Sequence, residues 1–211
     1  MRQRLFAVIY MFIITLCFTS LVNAVKHFNQ ERIALNQEAK EKGIILDVLN
    51  IPFDQNIPPG QLIELFNNLL KTIQVKDNKV FVWYEPDRKT PKGYVFPVSG
   101  SGFWGQIYGI AAIDAGAERI LGVNFYRHSE TPGLGGRISE KWFREQFISL
   151  PLDPAGDDNK IFYLKRPGSG KKLNELDAIT GATMTSQAVA SFLNREILDF
   201  VKEIDSLRNR I

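Results

Sequence analysis

The chain has 211 residues, of which 45% are hydrophobic and 23% are charged, and its formal net charge is +3. This length suits a short anchor and one domain with a single core, because domains commonly run about 100 to 200 residues. Lysines and arginines are interspersed with carboxylates, so the charge pattern does not indicate nucleic-acid binding. The single cysteine, Cys17, excludes an intrachain disulfide and a cysteine cluster for iron–sulfur or zinc, and the two histidines, His27 and His128, are far apart in sequence. We therefore predict no metal site.

The first 25 residues predict a membrane anchor. Residues 5–25 form an uncharged, apolar run of 21 residues, about the length that crosses the hydrocarbon core of a bilayer. Arg2 and Arg4 precede the run, so the positive-inside tendency places the N-terminus in the cytoplasm and the main domain on the extracytoplasmic side. The small-residue spacing of residues 22–24 leaves a cleaved signal peptide as the alternative, although signal cores usually have only about 7 to 15 apolar residues.

Two helices are predicted after the anchor, and we assign residues 26–78 to a juxtamembrane helical segment. Residues 29–48 carry charges and helix-forming side chains, with an expected break near Gly43. Pro58, Pro59 and Gly60 then open a second helix. Its expected apolar side carries Leu62, Ile63, Leu65, Phe66, Leu69, Leu70 and Ile73.

The pattern then changes to strands. Four segments rich in β-branched and aromatic residues are predicted to be strands, namely residues 80–84, 94–98, 106–114 and 119–126. Residues 114–117 are a good hairpin connection between the last two. A helix over residues 140–147, a strand over residues 161–164 and a helix from about Thr183 follow. Mixed short strands with helices after them predict an α+β domain over residues 79–211, with a twisted, largely antiparallel sheet and flanking helices.

Residues 177–186, with the sequence DAITGATMTS, place hydroxyl groups at the start of the last helix. The downstream apolar residues recur at helical spacing, which puts the helix N-terminus between Thr183 and Ser186. Unpaired N–H groups and the helix dipole stabilise an anion such as phosphate at that place. Gly181 and Ala182 leave the approach open. The alternative is that Thr183 or Thr185 only caps the helix.

A second unusual segment is residues 127–138, with the sequence RHSETPGLGGRI. Three glycines and a proline follow a predicted strand, and Leu134 is the one large apolar residue among them. Pro132 with Gly133 suits a tight turn, and glycines permit close backbone approaches. Alone, the segment is also compatible with an elaborate hairpin loop.

Together these segments resemble the covalent-FMN subunits of bacterial respiratory complexes, namely NqrC of the sodium-translocating NADH:quinone reductase and RnfG of the Rnf complex. Residues 177–183 fit the flavinylation pattern Asp-x-x-(Ser/Thr)-Gly-Ala-Thr. Residues 130–135 have the sequence Glu-Thr-Pro-Gly-Leu-Gly, and residues 102–105 have Gly-Phe-Trp-Gly, followed by Tyr108 and Gly109. The resemblance covers residues 92–205 and the anchor.

The resemblance implies that a flavin transferase moves FMN from FAD onto Thr183 and leaves a phosphoester at its hydroxyl. The other implied cofactor-binding residues are Asp177, Thr180, Gly181, Ala182, Met184 and Thr185 around the attachment point, and Trp104, Glu130, Thr131, Leu134 and Gly135 in the two loops. Among these, the expected ring contacts are Trp104, Leu134 and Met184. Glu130 and Thr131 are expected at the polar edge of the ring, while Asp177 and Thr180 are recognition or turn-shaping residues.

The function implied is that of a membrane-anchored flavoprotein at the bacterial inner membrane. It relays electrons between other membrane subunits of an Nqr- or Rnf-type complex, which couple them to Na⁺ or H⁺ movement. The chain is then an electron carrier and not a complete enzyme. Two alternatives stay open: a free-standing extracytoplasmic FMN carrier for another reductase, and a non-redox binding module in which Thr183 is a helix cap.

Overall fold

An antiparallel sheet of five strands, in the order β1-β2-β3-β4-β5, is the centre of the computed structural model. The structure describes residues 2–76, 78–85, 89–153, 160–169 and 172–208, with side chains up to residue 204 in the last range. The strands of this sheet are β1 Leu70–Val75, β2 Asn78–Tyr84, β3 Pro91–Ser101, β4 Gln106–Asp114 and β5 Ile120–Arg127. The helices are α1 Arg2–Val48, α2 Pro59–Leu69, α3 Lys141–Glu145 and α4 Thr183–Arg208, with a 3-10 helix at Gly135–Ser139. β6 Tyr163–Lys165 and β7 Glu175–Asp177 form a separate parallel pair. The predicted α+β fold is confirmed.

The sheet is buried on both faces, because successive side chains of a strand point to opposite sides. On β3, Tyr94 and Phe96 lie in the core that includes α4, whereas Val95 lies in the core formed with α1 and α2. The neighbouring strand β4 divides in the same way, with Ala111 in the first core and Ala112 in the second. A long amphipathic helix on one face and a helical pair on the other therefore cover the sheet.

Helix α4 packs closely against β3. The predicted apolar stripe is confirmed, since its members are buried or partly buried: Val189, Phe192, Leu193, Ile197, Phe200, Val201 and Ile204. The ring of Phe200 stacks on that of Phe96, with centroids 3.8 Å apart and planes at 12°. A Cβ atom added at Gly100 would lie 2.3 Å from the Cβ of Phe192. The missing side chain of Gly100 therefore sets how near α4 comes to the sheet.

Helix α1 continues through Gly43 to Val48, so the predicted break is wrong. Gly43 is buried, and a Cβ there would lie 3.4 Å from Leu62 Cδ2 of α2 and 3.6 Å from Phe53 Cζ. The glycine permits close packing on α2 and does not end the helix. The end of α1 is also joined to α3, because Arg144 Nη1 lies 2.6 Å from Asp47 Oδ2.

The N-terminal part of α1 has the length and composition of a membrane span. Its most apolar 18-residue window has a mean hydropathy of 2.5, and 0% of that window is buried. At 1.5 Å per residue, the 47 residues of α1 extend roughly 70 Å. One continuous helix therefore leads from the exposed apolar end to the sheet.

The second predicted helix is too long, because α2 ends at Leu69 and the next residues form β1. Leu70 and Ile73 of the expected apolar helix side are strand residues, and Ile73 lies opposite Val80 of β2. Pairing with β2 supplies hydrogen-bond partners that the local helical spacing could not reveal. The segment boundaries at residues 25 and 78 stay a prediction, with β1 lying in the segment expected to be helical.

Three smaller elements complete the comparison. The hairpin connection at residues 114–117 is confirmed, with Asp114 Oδ1 accepting bonds from the N–H groups of Glu118 and Arg119 at 2.7 and 2.8 Å. The strand predicted at residues 161–164 begins only at Tyr163. The buried side chain of Asn194 on α4 accepts the N–H groups of residues 161 and 162 at 2.7 and 3.2 Å, which keeps them out of the strand pairing. Its partner β7 and the 3-10 helix were not predicted.

Replacing Gly100 with alanine should destabilise the protein by about 1 to 3 kcal/mol, because the new methyl group would collide with Phe192 and push α4 from β3. The free energy of unfolding in detergent, measured by urea titration, tests this. Gly60→Ala is the matched control: Gly60 lies in α2 with no atom within 4 Å of an added Cβ, so alanine should be neutral or slightly stabilising. Equal stability of the two variants would contradict the packing role of Gly100.

Candidate functional site

The hairpin turn between β3 and β4 presents two aromatic side chains to solvent. The Gly102 N–H donates to the Gly105 carbonyl at 2.7 Å and closes the turn. Phe103 and Trp104 lie at its tip, with ring centroids 5.0 Å apart in an edge-to-face arrangement. Trp104 is 65% exposed, which is unusual for so large an apolar surface unless something binds there.

The loop after β5 presents a third apolar side chain. The carbonyl of Thr131 accepts hydrogen bonds from the N–H groups of Leu134 and Gly136, at 3.1 and 2.9 Å. Gly133 has a φ of +74°, a left-handed conformation that glycine adopts without strain. The resulting tight loop leaves Leu134 44% exposed.

The segment before α4 is held by side chains that come from elsewhere. Gln146, just after α3, brackets the backbone of Asp177: its Oε1 accepts the Asp177 N–H at 2.7 Å, and its Nε2 donates to the Asp177 carbonyl at 3.2 Å. Ser186 Oγ, in the first turn of α4, accepts the Ile179 N–H and donates to the Ala182 carbonyl, each at 3.0 Å. These four bonds fix the entry of the chain into the helix.

Gly181 brings the two glycine-containing segments into contact. Its φ of +78° lies in the left-handed region. A Cβ there would lie 3.2 Å from Leu134 Cδ2, so the Leu134 side chain rests beside the backbone of Gly181. Segments that are nearly 50 residues apart in the chain therefore meet at the start of α4.

The first turn of α4 separates outward and inward side chains. Thr183 and Met184 are exposed, whereas Thr185 and Ser186 are buried, at 3% and 1% exposure. Among the residues that the structure describes, none hydrogen-bonds the Thr183 hydroxyl. Neither do the N–H groups of residues 183–185 have an acceptor within those ranges, the first helical bond being that of Ser186 N–H to the Ala182 carbonyl at 3.0 Å. A reactive hydroxyl thus stands over unpaired N–H groups.

These facts argue against the cap alternative. A capping side chain accepts a hydrogen bond from an N–H group of the first helical turn. The Thr183 hydroxyl makes no such bond within the described part of the chain, and the Thr185 hydroxyl donates to Glu130 instead. The local bond to the entering backbone comes from Ser186, which the sequence patterns did not single out.

Glu130 lies beneath the two loops and not at their surface. The residue is only 4% exposed, Oε1 accepts the Trp104 N–H at 3.0 Å, and Oε2 accepts the Thr185 hydroxyl at 2.6 Å. The expected position of Glu130 at the polar edge of a bound ring does not agree with this burial. Thr131, the other residue expected there, is exposed.

The expected site residues therefore fall into two groups. An outer group is exposed around the start of α4: Trp104, Thr131, Leu134, Thr180, Gly181, Thr183 and Met184. An inner group supports it and is buried or half-buried: Glu130, Gly135, Asp177, Ala182 and Thr185. Phe103 and Gln146 join the arrangement without having been predicted as site residues. The aromatic turn could have indicated Phe103, whereas only the fold reveals Gln146.

The outer group suits a flat aromatic ligand that carries a phosphate. Trp104, Leu134 and Met184 offer apolar surface, and the free N–H groups at the N-terminus of α4 stabilise negative charge. This chemistry is that of a flavin mononucleotide.

Comparison with known proteins agrees with this site. Residues 102–197 match the family model of the FMN-binding domain. NqrC of the Na⁺-translocating NADH-quinone reductase of Pseudomonas aeruginosa is 33% identical over 103 residues, which are 47% of this chain and 40% of that protein. NqrC of Yersinia pestis is 34% identical over 100 residues, covering 47% and 38%. The matched part thus spans about two fifths of these relatives.

A solved structure shows the same fold. NqrC of the Na⁺-translocating NADH-quinone reductase of Parabacteroides distasonis superposes with a TM-score of 0.67 over 83% of this chain and 96% of that one, at 24% identity. The chain belongs, through residues 102–197, to the family of FMN-binding domains that it shares with the NqrC proteins of these reductases.

Proposed function

We propose that this chain is a membrane-anchored flavoprotein that holds FMN through a phosphoester to Thr183 and relays electrons within an Nqr- or Rnf-type ion-translocating complex. The observation that supports this most is the placement of Thr183. Its hydroxyl is exposed on the first turn of α4, in a segment of flavinylation pattern, with no hydrogen-bond partner among the described residues.

The surroundings of Thr183 suit a phosphate ester. The N–H groups of residues 183–185 point out of the N-terminus of a 26-residue helix, where the dipole favours negative charge. Gly181 leaves the approach without a side chain. A phosphate on Thr183 is therefore stabilised by backbone groups alone.

Attachment is a group transfer that needs a flavin transferase and FAD. A bond forms between Thr183 Oγ and the FMN phosphorus as the bond from that phosphorus to the AMP part of FAD breaks. The hydroxyl proton leaves to a base of the transferase or to water, and AMP departs. The exposure of Thr183 gives an enzyme access to the hydroxyl.

Apolar side chains of the loops would hold the ring. Trp104 and Leu134 approach from two loops, and Met184 follows the attachment point directly, so all three are adjacent to the tethered group. Exposed Thr131 is available for a polar contact at the rim. The flavin supplies the electron-transfer chemistry when bound, while the chain supplies its position and electrostatic surroundings.

The anchor supports a membrane partner. The apolar end of α1 is fully exposed, and Arg2 and Arg4 before it favour a cytoplasmic N-terminus with the FMN domain on the extracytoplasmic side. Such a location places the site beside other membrane subunits, as expected for a member of an electron-transfer complex.

A free-standing extracytoplasmic FMN carrier is the second candidate. The fact that favours it is the coverage, because the match takes in only 40% and 38% of the two NqrC relatives. Purification from native membranes in mild detergent distinguishes the two candidates: integral membrane subunits that co-purify in constant ratio indicate a complex, and a monomer with bound flavin indicates a carrier.

Replacing Thr183 with alanine should abolish covalent flavin attachment while the free energy of unfolding changes by no more than about 0.5 kcal/mol, because the side chain is exposed and caps nothing. The test is the intact mass of the denatured protein after co-expression with a flavin transferase. Wild type should gain one FMN group and Thr183→Ala none. Thr183→Ser, which keeps the hydroxyl, is the matched control and should still be modified. An FMN-sized gain in the alanine variant would place the attachment elsewhere.

Replacing Leu134 with alanine should leave the attachment intact but change the absorption spectrum and midpoint potential of the flavin, because Leu134 offers apolar surface beside the attachment segment. Ile148→Ala serves as the control, since Ile148 is 38% exposed and lies after α3, away from both loops. A spectrum and potential unchanged from wild type would count against Leu134 as a ring contact.

A further inference from the structure

We propose that Glu130 is the positioning residue of the FMN site: its buried carboxylate joins the Trp104 turn to the first turn of α4 and places a negative charge under the flavin. This inference rests on the proposed function of Thr183. It differs from a direct contact with the cofactor, because the carboxylate acts through the two elements that carry Trp104 and Thr183.

The two carboxylate oxygens have separate duties. Oε1 accepts the backbone N–H of Trp104 at 3.0 Å, and Oε2 accepts the Thr185 hydroxyl at 2.6 Å. Thr185 lies two residues after the attachment point, in the same helical turn. A single side chain thus fixes the distance between the exposed indole and the hydroxyl that receives the phosphate.

Two glycines leave just enough room for this carboxylate. A Cβ atom at Gly102 would lie 2.5 Å from Glu130 Oε1, and one at Gly135 would lie 2.7 Å from Oε2 and 2.6 Å from Thr185 Oγ1. The family motifs place glycine at both positions, and here each glycine is required by the same buried group. The three motifs therefore converge on Glu130.

The backbone of Glu130 is fixed as well. Its N–H donates to His128 Nδ1 at 3.3 Å, and the other ring nitrogen of His128 lies 3.0 Å from Ser139 Oγ. Ser139 itself donates to the Phe125 carbonyl at 2.7 Å, so its oxygen accepts the Nε2–H of a neutral histidine. The carboxylate is held from its own loop and cannot follow either partner if that partner moves.

Two substitutions separate geometry from charge. Glu130→Gln is nearly isosteric: its oxygen can accept the Trp104 N–H, and its amide N–H can donate to Thr185 Oγ1, because a hydroxyl accepts as well as donates. It keeps both contacts and removes the charge. Glu130→Ala removes both contacts and the charge.

The first measurement uses the full-length protein in detergent before any flavin is attached. Hydrogen exchange of the Trp104 amide should be roughly tenfold faster in Glu130→Ala than in wild type, since the amide loses its acceptor, and nearly unchanged in Glu130→Gln. An unchanged rate in the alanine variant would overturn the positioning role.

The second measurement uses the flavin-loaded protein. The midpoint potential should shift to more positive values in Glu130→Gln, because a buried negative charge opposes the addition of an electron nearby and the neutral amide does not. A purely structural role would leave this potential at its wild-type value, because the variant keeps both contacts. An unshifted potential in Glu130→Gln therefore overturns the electrostatic part of the proposal.

The outcomes stay distinct from failure of the proposed function. If wild type carries no covalent FMN by intact mass, the flavin proposal fails, and the electrostatic part falls with it. If wild type is loaded while both the exchange rate and the potential are insensitive to Glu130, only the present inference fails.

Discussion

The contact between α4 and the middle strand β3 determines where the rest of the site lies. Gly100 admits Phe192 at a distance that a single methyl group would close, and Phe200 stacks on Phe96 two turns further along. These contacts fix the axis of the helix, and so they fix the direction in which its N-terminus opens. Without them the Trp104 turn at the end of β3 and the attachment segment before α4 would have no common frame.

Helical periodicity then sorts the residues of the motif by role. Thr183 and Met184 face outward, and the next two residues, Thr185 and Ser186, face the protein. The inward pair makes hydrogen bonds to Glu130 and to the entering backbone, while the outward pair stays available. A run of adjacent hydroxyl residues therefore serves two purposes: one hydroxyl is left for chemistry, and its neighbours hold it in place.

Sequence patterns predicted the elements whose signals lie within a few residues, such as the stripe of α4 and the strands β2 to β5. The failures involve partners from elsewhere in the chain. Gly43 looked like a helix end, but the fold uses it to bring α1 against α2, and pairing with β2 makes Leu70 and Ile73 a strand. The site shows the same division. Its motifs were identifiable, but nothing in the sequence of the loop indicates that Glu130 is 4% exposed and shared by two other motifs.

The openness of the site also gives a physical reason for a covalent link. Ligand pockets usually cover about 70 to 90% of a bound molecule, and enclosure supplies most of the affinity. Here the expected ring contacts are themselves open to solvent, with Trp104 at 65%, Met184 at 59% and Leu134 at 44% exposure. Non-covalent binding of FMN on such a surface would be weak. Under the proposed function, the phosphoester at Thr183 removes the need for enclosure, and the flavin stays accessible to donor and acceptor without being lost to solution.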